Sequence, residues 1–365
     1  MENSRQYLAD FSLALINRTG AYYVCRDVVE RLGGFFPAIR YWRILSKKQP
    51  QGMRRKLLGR AMLYELSHFP TARVLERPRM TKAGDLPTLF FDPLYVLRTQ
   101  LEWRDIVLCH DVGPLTHRDL FDPDTSALYE HAYDAIKAAR PGMVFVSESS
   151  RQAFTALFGT DFRFMKVIPL YVREALTSGE EMAPPEVNSP FLLTIGGFET
   201  RKNHRRIVAA FLASGLRERG FSYVICGPRG NSTSEVQQLL SKTPGVHGFG
   251  YLSDAEIRWL YTHASGFVLP SLLEGFGVPP LEAAQRGLLS VVSHEGAQRE
   301  AVGDAGILVD PLSVDDIARG LRQLVDLPQE ERRRRVALVR QHADSLTLER
   351  YLSRWHDLLS SAHAE

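Results

Sequence analysis

Residues 269–284 read LPSLLEGFGVPPLEAA, and the fold that we expect follows from this stretch. Just before the loop, residues 266–269 form a short apolar run bounded by Gly and Pro, which is typical of a buried strand in a parallel sheet. Pro280 is well placed as the first residue of a helix. The stretch therefore predicts a strand, a loop that contains Glu274, and a helix whose first turn contains Glu282.

The predicted loop and helix start have the features of an anion site. Gly275 and Gly277 allow the backbone to approach a ligand closely, and the free amide groups at the start of a helix attract negative charge. A phosphorylated ligand would fit there. A simpler interpretation is an ordinary strand-loop-helix connection in which Glu282 only complements the helix dipole, by about 0.3 to 1 kcal/mol.

The whole string resembles the signature of the retaining glycosyltransferases of family 4, which have the GT-B fold. The resemblance rests on Pro-Ser-x-x-Glu-Gly-Phe-Gly-x-Pro-Pro-Leu-Glu-Ala, with seven residues between its two glutamates. In that family the first glutamate contacts the donor sugar, the second holds the ribose hydroxyls, and the intervening backbone meets the diphosphate. The resemblance implies these three roles, in that order, for Glu274, for Glu282, and for the segment of Gly275, Phe276, Gly277 and Val278.

Length and composition bound the class of protein. The chain has 365 residues and 44% hydrophobic content, which is enough for two cores, so we expect two domains. Its three cysteines, Cys25, Cys109 and Cys226, lie far apart without metal-like spacing, which argues against a disulfide framework and suits a reducing cytoplasm. The start of the sequence lacks the pattern of a secretion signal, and no apolar run approaches the ~20 residues that span a bilayer. We therefore expect a cytoplasmic protein.

The charge is unevenly distributed, although the net charge is only +3. Residues 31–64 contain no Asp or Glu, and residues 40–60 carry a run of basic side chains. Attraction to an anionic membrane, at roughly 1 kcal/mol per nearby basic residue, would suit a lipid-linked acceptor and peripheral contact at the inner membrane face. A solvated charged face explains the same residues. No recognised motif for nucleic acid accompanies the charge, so we do not expect a nucleic-acid partner. The basic residues are Arg40, Arg43, Lys47, Lys48, Arg54, Arg55, Lys56 and Arg60.

Three candidate positions in the first half follow predicted strands. The apolar run 13–16 predicts a strand that turns near Gly20, and a buried strand at 105–109 ends at His110 and Asp111. Ligands in open α/β sheets bind beyond the carboxyl ends of strands, which places His110 and Asp111 at a cleft. The family resemblance implies a donor-sugar contact for His110, makes Asp111 a further candidate, and implies a donor or acceptor contact for Gly20. Plain turns explain the same residues.

A second charged motif opens the second half. A predicted strand at 191–195 is followed by GGFETRKN, which begins at Gly196. A Gly pair followed by adjacent cations at a helix start suits a diphosphate, because the glycines admit it and the cations neutralise its charge. A solvated basic turn is the plain alternative. The string again resembles family 4, whose basic residues here bind the diphosphate. Many members carry Arg directly after the first Gly, where this chain has Gly197, so the charge must come from Arg201 and Lys202.

Two further segments bear on the base and on metal ions. In the resembling family the turn after residues 246–252 cradles the nucleotide base, mostly through backbone, which makes Tyr251 a candidate and leaves the base unidentified. The Asp-x-Asp of the chain is Asp122-Pro123-Asp124, and it follows no buried strand that would aim it at a diphosphate. We interpret it as a turn and expect no metal site.

These observations predict an α/β chain of the GT-B type, with two Rossmann-like domains facing an interdomain cleft. The expected boundaries are an N-terminal acceptor-side domain at 1–170, a linker at 171–189, and a nucleotide-sugar-binding domain at 190–345. The last segment, 346–365, is expected to form a helix that packs back on the first domain, as in GT-B relatives.

The resemblance implies a reaction of polysaccharide biosynthesis. A hexose would move from a nucleotide-diphosphate sugar to a hydroxyl of a glycan or lipid-linked acceptor, with retention at the anomeric carbon. Arg201, Lys202 and the helix amides can stabilise the departing diphosphate without a metal, so no cofactor is expected and no protein nucleophile is assigned. One alternative is a non-catalytic nucleotide-sugar-binding protein, against which Glu274, Glu282 and the two cations together argue. Another is a GT-B epimerase or phosphorylase, separable by whether orthophosphate or an acceptor drives turnover.

Overall fold

The computed structural model divides the chain into two compact units. The first unit comprises Met1–Leu170 and Glu349–Glu365, and the second comprises Tyr171–Leu348. The structure describes residues 6–16, 20–67, 86–173, 176, 178–184, 187 and 190–361.

The described part of the first unit contains a seven-stranded sheet in the order β3-β2-β1-β4-β5-β6-β7. Its pairings are parallel except for the hairpin of β2 with β3. The central strands are short apolar runs that are buried on both faces, as expected for a sheet covered by helices. The strands are β1 (Leu8–Asp10), β2 (Ala38–Tyr41), β3 (Ile44–Leu45), β4 (Thr88–Phe90), β5 (Ile106–Cys109), β6 (Gly142–Phe145) and β7 (Phe164–Val167).

Helices and short 3-10 turns connect these strands. The α-helices among the described residues before the second unit are α1 (Gly20–Arg31), α2 (Gly52–Ser67), α3 (Gly113–Thr116), α4 (Pro123–Ala139) and α5 (Glu148–Phe158). The 3-10 turns are Ser12–Leu15, Gly33–Phe35, Pro93–Arg98 and Arg118–Leu120.

The described residues of the second unit form a six-stranded, fully parallel sheet in the order β10-β9-β8-β11-β12-β13. The first strand in sequence, β8, lies between β9 and β11, so the strand order reverses there. Ligands of doubly wound sheets bind at such a switch point. The strands are β8 (Phe191–Ile195), β9 (Ser222–Cys226), β10 (Val246–Phe249), β11 (Gly266–Leu269), β12 (Ser290–Ser293) and β13 (Ile307–Val309).

Helices cover both faces of this sheet, as the alternation of strand and helix along the chain requires. They are α6 (His204–Ala213), α7 (Thr233–Lys242), α8 (Asp254–His263), α9 (Val278–Gln285), α10 (Ala297–Val302), α11 (Val314–Asp326) and α12 (Gln329–Asp344), with 3-10 turns at Thr200–Lys202 and Gly303–Ala305.

The last helix, α13 (Leu348–Ser361), contacts residues of the first unit. Tyr351 Oη donates to Val24 O at 3.3 Å, and Tyr7 Oη donates to Leu359 O at 3.1 Å. Trp355 is fully buried in the same contact. No helix in the described ranges is long and apolar enough to cross a membrane.

Several predicted elements are confirmed. Two are wrong, namely the strand at 13–16 and the turn at Asp122-Pro123-Asp124. The runs at 105–109, 191–195 and 266–269 form strands β5, β8 and β11. The predicted strand at 13–16 is wrong: the strand ends earlier, at Asp10, and a 3-10 turn follows at Ser12–Leu15.

The reasons for both errors are local. The Asp10 carboxylate accepts from Ser12 N at 3.1 Å and from Ser12 Oγ at 2.6 Å, which turns the chain before the apolar run begins. The predicted turn at Asp122-Pro123-Asp124 is also wrong, because Pro123 is the first residue of helix α4. A proline in that position has its backbone angle already set for the helix and needs no hydrogen bond.

Candidate functional site

The two charged loops of the second unit meet at its switch point. Strands β8 and β11 are parallel neighbours, so the loops that follow them start at the same edge of the sheet. Leu272 N donates to Arg201 O at 2.8 Å, and Asn203 Nδ2 donates to Pro270 O at 3.0 Å. These bonds fix the loop that carries the cations against the loop that carries Glu274.

Three of the predicted site residues form one buried ion cluster. Lys202 Nζ lies 2.5 Å from Glu274 Oε1, and Arg201 Nη1 lies 2.9 Å from Glu274 Oε2. Ser271 Oγ donates to Glu274 Oε1 at 2.8 Å. The side chains of Lys202 and Glu274 are each only 8% exposed. The carboxylate therefore has a donor on each of its oxygens and is held in one orientation.

Opposing effects set the charge of this cluster. Burial alone would raise the pKa of Glu274, but Lys202 and Arg201 overcome it and lower that pKa to about 2. Burial also lowers the pKa of Lys202, against the attraction of Glu274. Removing one partner of such a buried pair leaves the other charge uncompensated, at a typical cost of about 3–5 kcal/mol.

A second carboxylate, Glu199, also contacts this cluster. Arg201 Nε lies 2.6 Å from Glu199 Oε2, and the Glu199 side chain is 35% exposed. Glu199, Glu274, Arg201 and Lys202 together carry two negative and two positive charges. An incoming phosphate would therefore compete with Glu199, the more exposed carboxylate, for the guanidinium of Arg201.

The predicted Gly pair borders the cluster. A Cβ on Gly196 would lie 3.5 Å from Lys202 Cδ, and a Cβ on Gly197 would lie 3.1 Å from Glu199 Oε1. Sequence reasoning missed Gly227, where a Cβ would lie 2.0 Å from Gly196 O, so no larger residue fits beside this loop.

The buried ring of His204 supports the same loop. Its Nε2 lies 2.9 Å from Gly197 O. Burial lowers the pKa of His204 to about 4, which keeps the ring neutral at pH 7. A neutral imidazole can hold Gly197 without adding a charge to the neighbouring cluster.

The helix after the signature begins earlier than predicted. It starts at Val278 rather than at Pro280, because Gly277 closes the loop with φ +106° and proline is tolerated in the first helical turn. Glu282 therefore lies in the second turn, not in the first. Pro279 and Pro280 have no N–H, so this helix start offers fewer amide donors than expected.

Glu282 has partners of its own and is not part of the Glu274 cluster. Its side chain is 6% exposed, Tyr261 Oη donates to its Oε2 at 2.9 Å, and Arg173 Nε lies 3.5 Å from its Oε1. Burial raises the pKa of Glu282, while Arg173 and Tyr261 act against that rise. Of the four charged groups that the resemblance assigns to the donor, Arg201 and Lys202 contact Glu274, and Glu282 occupies a separate buried position.

Four contact residues were missed in the sequence, for different reasons. Arg173 lies in a stretch interpreted as linker, and Tyr261 is one of several apolar residues on helix α8. Ser271 and Glu199 stand inside the two motifs, three residues before Glu274 and two before Arg201. That proximity to a charged residue was the available signal for Ser271 and Glu199.

The first-half candidates belong to the first unit. His110 Nε2 lies 3.2 Å from Phe91 O, and Asp111 Oδ1 accepts from Gly113 N at 2.8 Å. Gly20 begins helix α1, with open space where a Cβ would stand. Asp111 thus closes a local turn, as the plain interpretation expects. The ligand contacts of these residues remain predictions.

A missed carboxylate lies at the same edge of that sheet. Asp92 follows β4, the neighbour of β5, and Tyr129 Oη donates to Asp92 Oδ1 at 3.0 Å. Burial raises the pKa of Asp92, and the nearby His110 works against that rise. Asp92, His110 and Asp111 thus follow neighbouring strands at one edge of this sheet.

The remaining candidate, Tyr251, lies in the surface loop after β10 with 83% of its area exposed. A cavity of about 480 Å³ in the second unit is lined by Glu300, Arg334 and His342, among others, and by none of the predicted site residues. Within the described ranges, no group of three or more His, Cys, Asp or Glu side chains is placed to hold a metal ion.

Known proteins resemble the second half of the chain in sequence. Residues 180–340 match the family described as Glycosyl transferases group 1. The chain is 34% identical over 154 residues to the O-antigen chain mannosyltransferase B of Escherichia coli, a match that covers 41% of this chain. The matched region spans 40% of the length of that relative. The family match includes both loops of the ion cluster.

Solved structures match over nearly the whole chain. Sucrose-phosphate synthase from Thermosynechococcus elongatus aligns with a TM-score of 0.70 and 16% identity, over 99% of this chain and 100% of that one. WaaG, a glycosyltransferase involved in lipopolysaccharide biosynthesis, aligns with a TM-score of 0.65 and 15% identity, over 97% and 99%. These likenesses confirm the GT-B fold, and the family match extends over residues 180–340.

We expect Glu274→Gln to lower the free energy of unfolding at pH 7 by about 3 kcal/mol, because the pKa of this carboxyl falls from 4.5 to about 2 on folding. The folded pKa is the lower one, so the contribution is complete above about pH 5 and disappears as the pH falls towards 2. Urea unfolding of the wild type and of Glu274→Gln measures the difference in their free energies of unfolding. By about pH 3 this difference should fall to less than half of its value at pH 7.

Glu331→Gln is the matched control. The neighbouring Arg334 and Arg335 also lower the pKa of Glu331 to about 2, but on the surface, where solvent screens the pair. We expect a much smaller change for this variant. A difference in unfolding free energy between the wild type and Glu274→Gln that stays constant between pH 7 and pH 3 would contradict the lowered pKa of Glu274.

Proposed function

We propose that this chain is a retaining glycosyltransferase that moves a hexose from a nucleotide-diphosphate sugar to a hydroxyl of a glycan or lipid-linked acceptor. The observation that carries the proposal is the buried cluster of Glu274, Lys202 and Arg201 at the switch point of the second unit. The name of the Escherichia coli relative makes mannose the first sugar to test.

The cations of the cluster are suited to a departing diphosphate. The leaving group gains negative charge as the glycosidic bond breaks, and prepositioned cations stabilise that charge without reorganisation. Arg201 can exchange Glu199 for a phosphate oxygen at small cost, because Glu199 is partly exposed and returns to water. Lys202 keeps Glu274 as its partner, with its Nζ 2.5 Å from Glu274 Oε1, and adds its positive charge to the site.

Glu274 acts in this proposal as an ionised acceptor of hydrogen bonds from the donor sugar. A carboxyl with a pKa of about 2 is a weak base at pH 7 and is poorly suited to remove a proton from an acceptor hydroxyl. The departing phosphate oxygen is the better recipient of that proton, on the same face of the sugar. Transfer then proceeds with retention and needs no protein nucleophile.

The other predicted residues complete the donor contacts. We assign the ribose hydroxyls to Glu282, the donor sugar to His110, and the diphosphate to the backbone of residues 275–278. Gly20, Asp111 and Tyr251 remain further candidates. No metal has a role in this scheme, because Arg201 and Lys202 supply the positive charge.

The outer face of helix α2 supports contact with an anionic membrane, where a lipid-linked acceptor would lie. Met53, Leu57 and Tyr64 share one stripe of the helix and are 72%, 58% and 66% exposed. Three exposed cations accompany this stripe, namely Arg54, Lys56 and Arg60. Apolar and basic side chains on one exposed helical surface are typical of interfacial helices.

The acidic residue of α2 does not lie on this exposed face. Glu65, the one acidic residue in the sequence of α2, is buried and pairs with Arg43 at 2.9 Å and with Arg98 at 2.8 Å. Arg40 is also buried. The basic run at 40–60 therefore splits between internal contacts and surface, and we assign the proposed membrane contact to residues 53–64.

We expect Glu274→Gln and Lys202→Met each to reduce kcat/KM for sugar transfer at least about 100-fold, because each removes a charge prepositioned at the reacting centre. The measurement is transfer from nucleotide sugars by the purified chain, with the anomeric configuration of the product read by NMR. Glu235→Gln and Lys242→Met change exposed residues of helix α7 in the same way and should leave the rate unchanged.

Circular dichroism of each variant should match the wild type. Full activity in both site variants would overturn the proposal. Donor binding by the wild type without transfer or hydrolysis would favour the non-catalytic alternative, and turnover that requires orthophosphate would favour a phosphorylase.

We expect transfer to continue unchanged in EDTA, because the proposed leaving-group stabilisation uses Arg201 and Lys202 rather than a Lewis acid. The rate is measured on chelated protein before and after addition of Mg²⁺ or Mn²⁺. Loss of activity in EDTA and its recovery with either ion would show that the cations of the cluster are insufficient.

We expect the chain to bind vesicles that contain phosphatidylglycerol and to bind neutral vesicles weakly. Changing Arg54, Lys56 and Arg60 together to Gln should weaken this binding by about 10- to 100-fold at low salt, at roughly 1 kcal/mol or less for each charge. The double variant Met53→Ser and Leu57→Ser should weaken the vesicle binding that remains at high salt, where the charges are screened.

Cosedimentation measures both effects. Lys137→Gln and Leu157→Ser are matched controls on exposed positions of helices α4 and α5 and should bind as the wild type does. Equal binding to neutral and anionic vesicles, or no effect of the α2 variants, would contradict the membrane contact.

A further inference from the structure

The buried carboxylate of Glu282 is held by an arginine from outside its helix. Arg173 follows strand β7 and the boundary between the two units, and its Nε lies 3.5 Å from Glu282 Oε1. The Arg173 side chain is 25% exposed and that of Glu282 is 6% exposed. The pair therefore lies mostly out of water, where its attraction is weakly screened.

The backbone around Arg173 is anchored on both sides. Before it, Val172 N donates to Leu346 O at 3.2 Å, and after it Leu176 N donates to Arg173 O at 3.0 Å. Arg286 Nε, from the end of helix α9, donates to Leu176 O at 2.8 Å, and Leu176 is buried in the core of the second unit. Hydrogen bonds thus hold the backbone on both sides of Arg173, whose side chain contacts Glu282.

Tyr261 fixes the other oxygen of the same carboxylate. Its Oη donates to Glu282 Oε2 at 2.9 Å, and the tyrosine is fully buried. An ionised carboxylate has about four acceptor positions on its two oxygens. With Tyr261 on one oxygen and Arg173 beside the other, the group is oriented and still has capacity on both oxygens for two more donors.

Vicinal ribose hydroxyls are a pair of donors that the two oxygens of one carboxylate can accept. Arg173 also lies 3.9 Å, through Nη1, from the more exposed Asp254, so its guanidinium spans two carboxylates. Burial raises the pKa of Glu282, and Arg173 is the nearest charge acting against that rise. Without Arg173, the carboxyl of Glu282 would be less firmly oriented and would be ionised in a smaller fraction of the molecules.

We propose that Arg173 is a positioning residue that holds Glu282 so that it accepts hydrogen bonds from the ribose hydroxyls of the donor nucleotide. This inference rests on the proposed function, because it assigns Glu282 to a nucleotide. Arg173 itself needs no contact with the ribose. Its loss should therefore weaken the recognition of the hydroxyls specifically, rather than all nucleotide binding equally.

The test compares ribose and deoxyribose nucleotides by calorimetry. UDP, GDP and their 2′-deoxy and 3′-deoxy forms are titrated into the wild type and into Arg173→Met and Arg173→Gln. In the wild type we expect loss of one hydroxyl to weaken binding about 10-fold, the scale of a hydrogen bond to a charged group. In both variants we expect this ratio to fall to about 2-fold or less, with the ribonucleotide weakened more than its deoxy form.

Two further variants separate positioning from general damage. Arg173→Lys keeps the charge and should restore part of the 10-fold ratio. Arg219→Met removes an arginine that pairs with Asp326 at 2.7 Å on the surface of the same unit, and it should keep the full ratio.

The outcomes are distinct. An unchanged ratio in a folded Arg173→Gln or Arg173→Met protein, or equal weakening of ribo- and deoxynucleotides, overturns the role of Arg173. A wild type that binds UDP or GDP without discriminating the hydroxyls also overturns this inference, while leaving the diphosphate site intact. A wild type that binds no nucleotide diphosphate overturns the proposed function itself.

Discussion

The ion pair between Glu274 and Lys202 is the contact on which the site of the second unit depends. Both side chains are nearly excluded from water, and a buried pair of this kind rarely adds net stability over apolar residues of similar volume. Stability alone therefore does not explain its presence. The parallel pairing of β8 with β11 makes it feasible, because the two loops must leave the sheet at the same edge and can share their charges.

The two signature glutamates are equally buried but electrostatically different. Glu274 has two cations, at 2.5 and 2.9 Å, and its pKa falls to about 2 in spite of burial. Glu282 has one arginine at 3.5 Å, and burial prevails, so its pKa rises. The number and distance of the cations decide the direction. One carboxylate is thus held firmly ionised, while the other depends on Arg173 for its charge and its orientation.

The charges of the cluster balance, and one of its two carboxylates is much more exposed to water than the other. Arg201 contacts both Glu199 and Glu274, and only Glu199 has substantial access to water. In the proposed function a diphosphate replaces the exposed carboxylate and leaves the buried pair intact, so the cost of desolvating that pair is not incurred again when the ligand binds. In the first unit, Arg43 and Arg98 pair with the buried Glu65, and Arg54, Lys56 and Arg60 of α2 are exposed.

Local sequence was enough for the alternation of short apolar strands with helices, and so for the fold class. It was also enough for the charged loops after β8 and β11, because composition and spacing alone mark such features. It misplaced the strand near residues 13–16 and the start of helix α9, where the Asp10 carboxylate and the backbone angle of Gly277 prevailed over the apolar run and the proline. The partners of Arg173 and Tyr261, and the separation of Glu282 from the other charges, emerged only from the folded chain. These contacts join residues far apart in sequence, and which of them meet depends on the order of strands in the sheet, which no local pattern encodes.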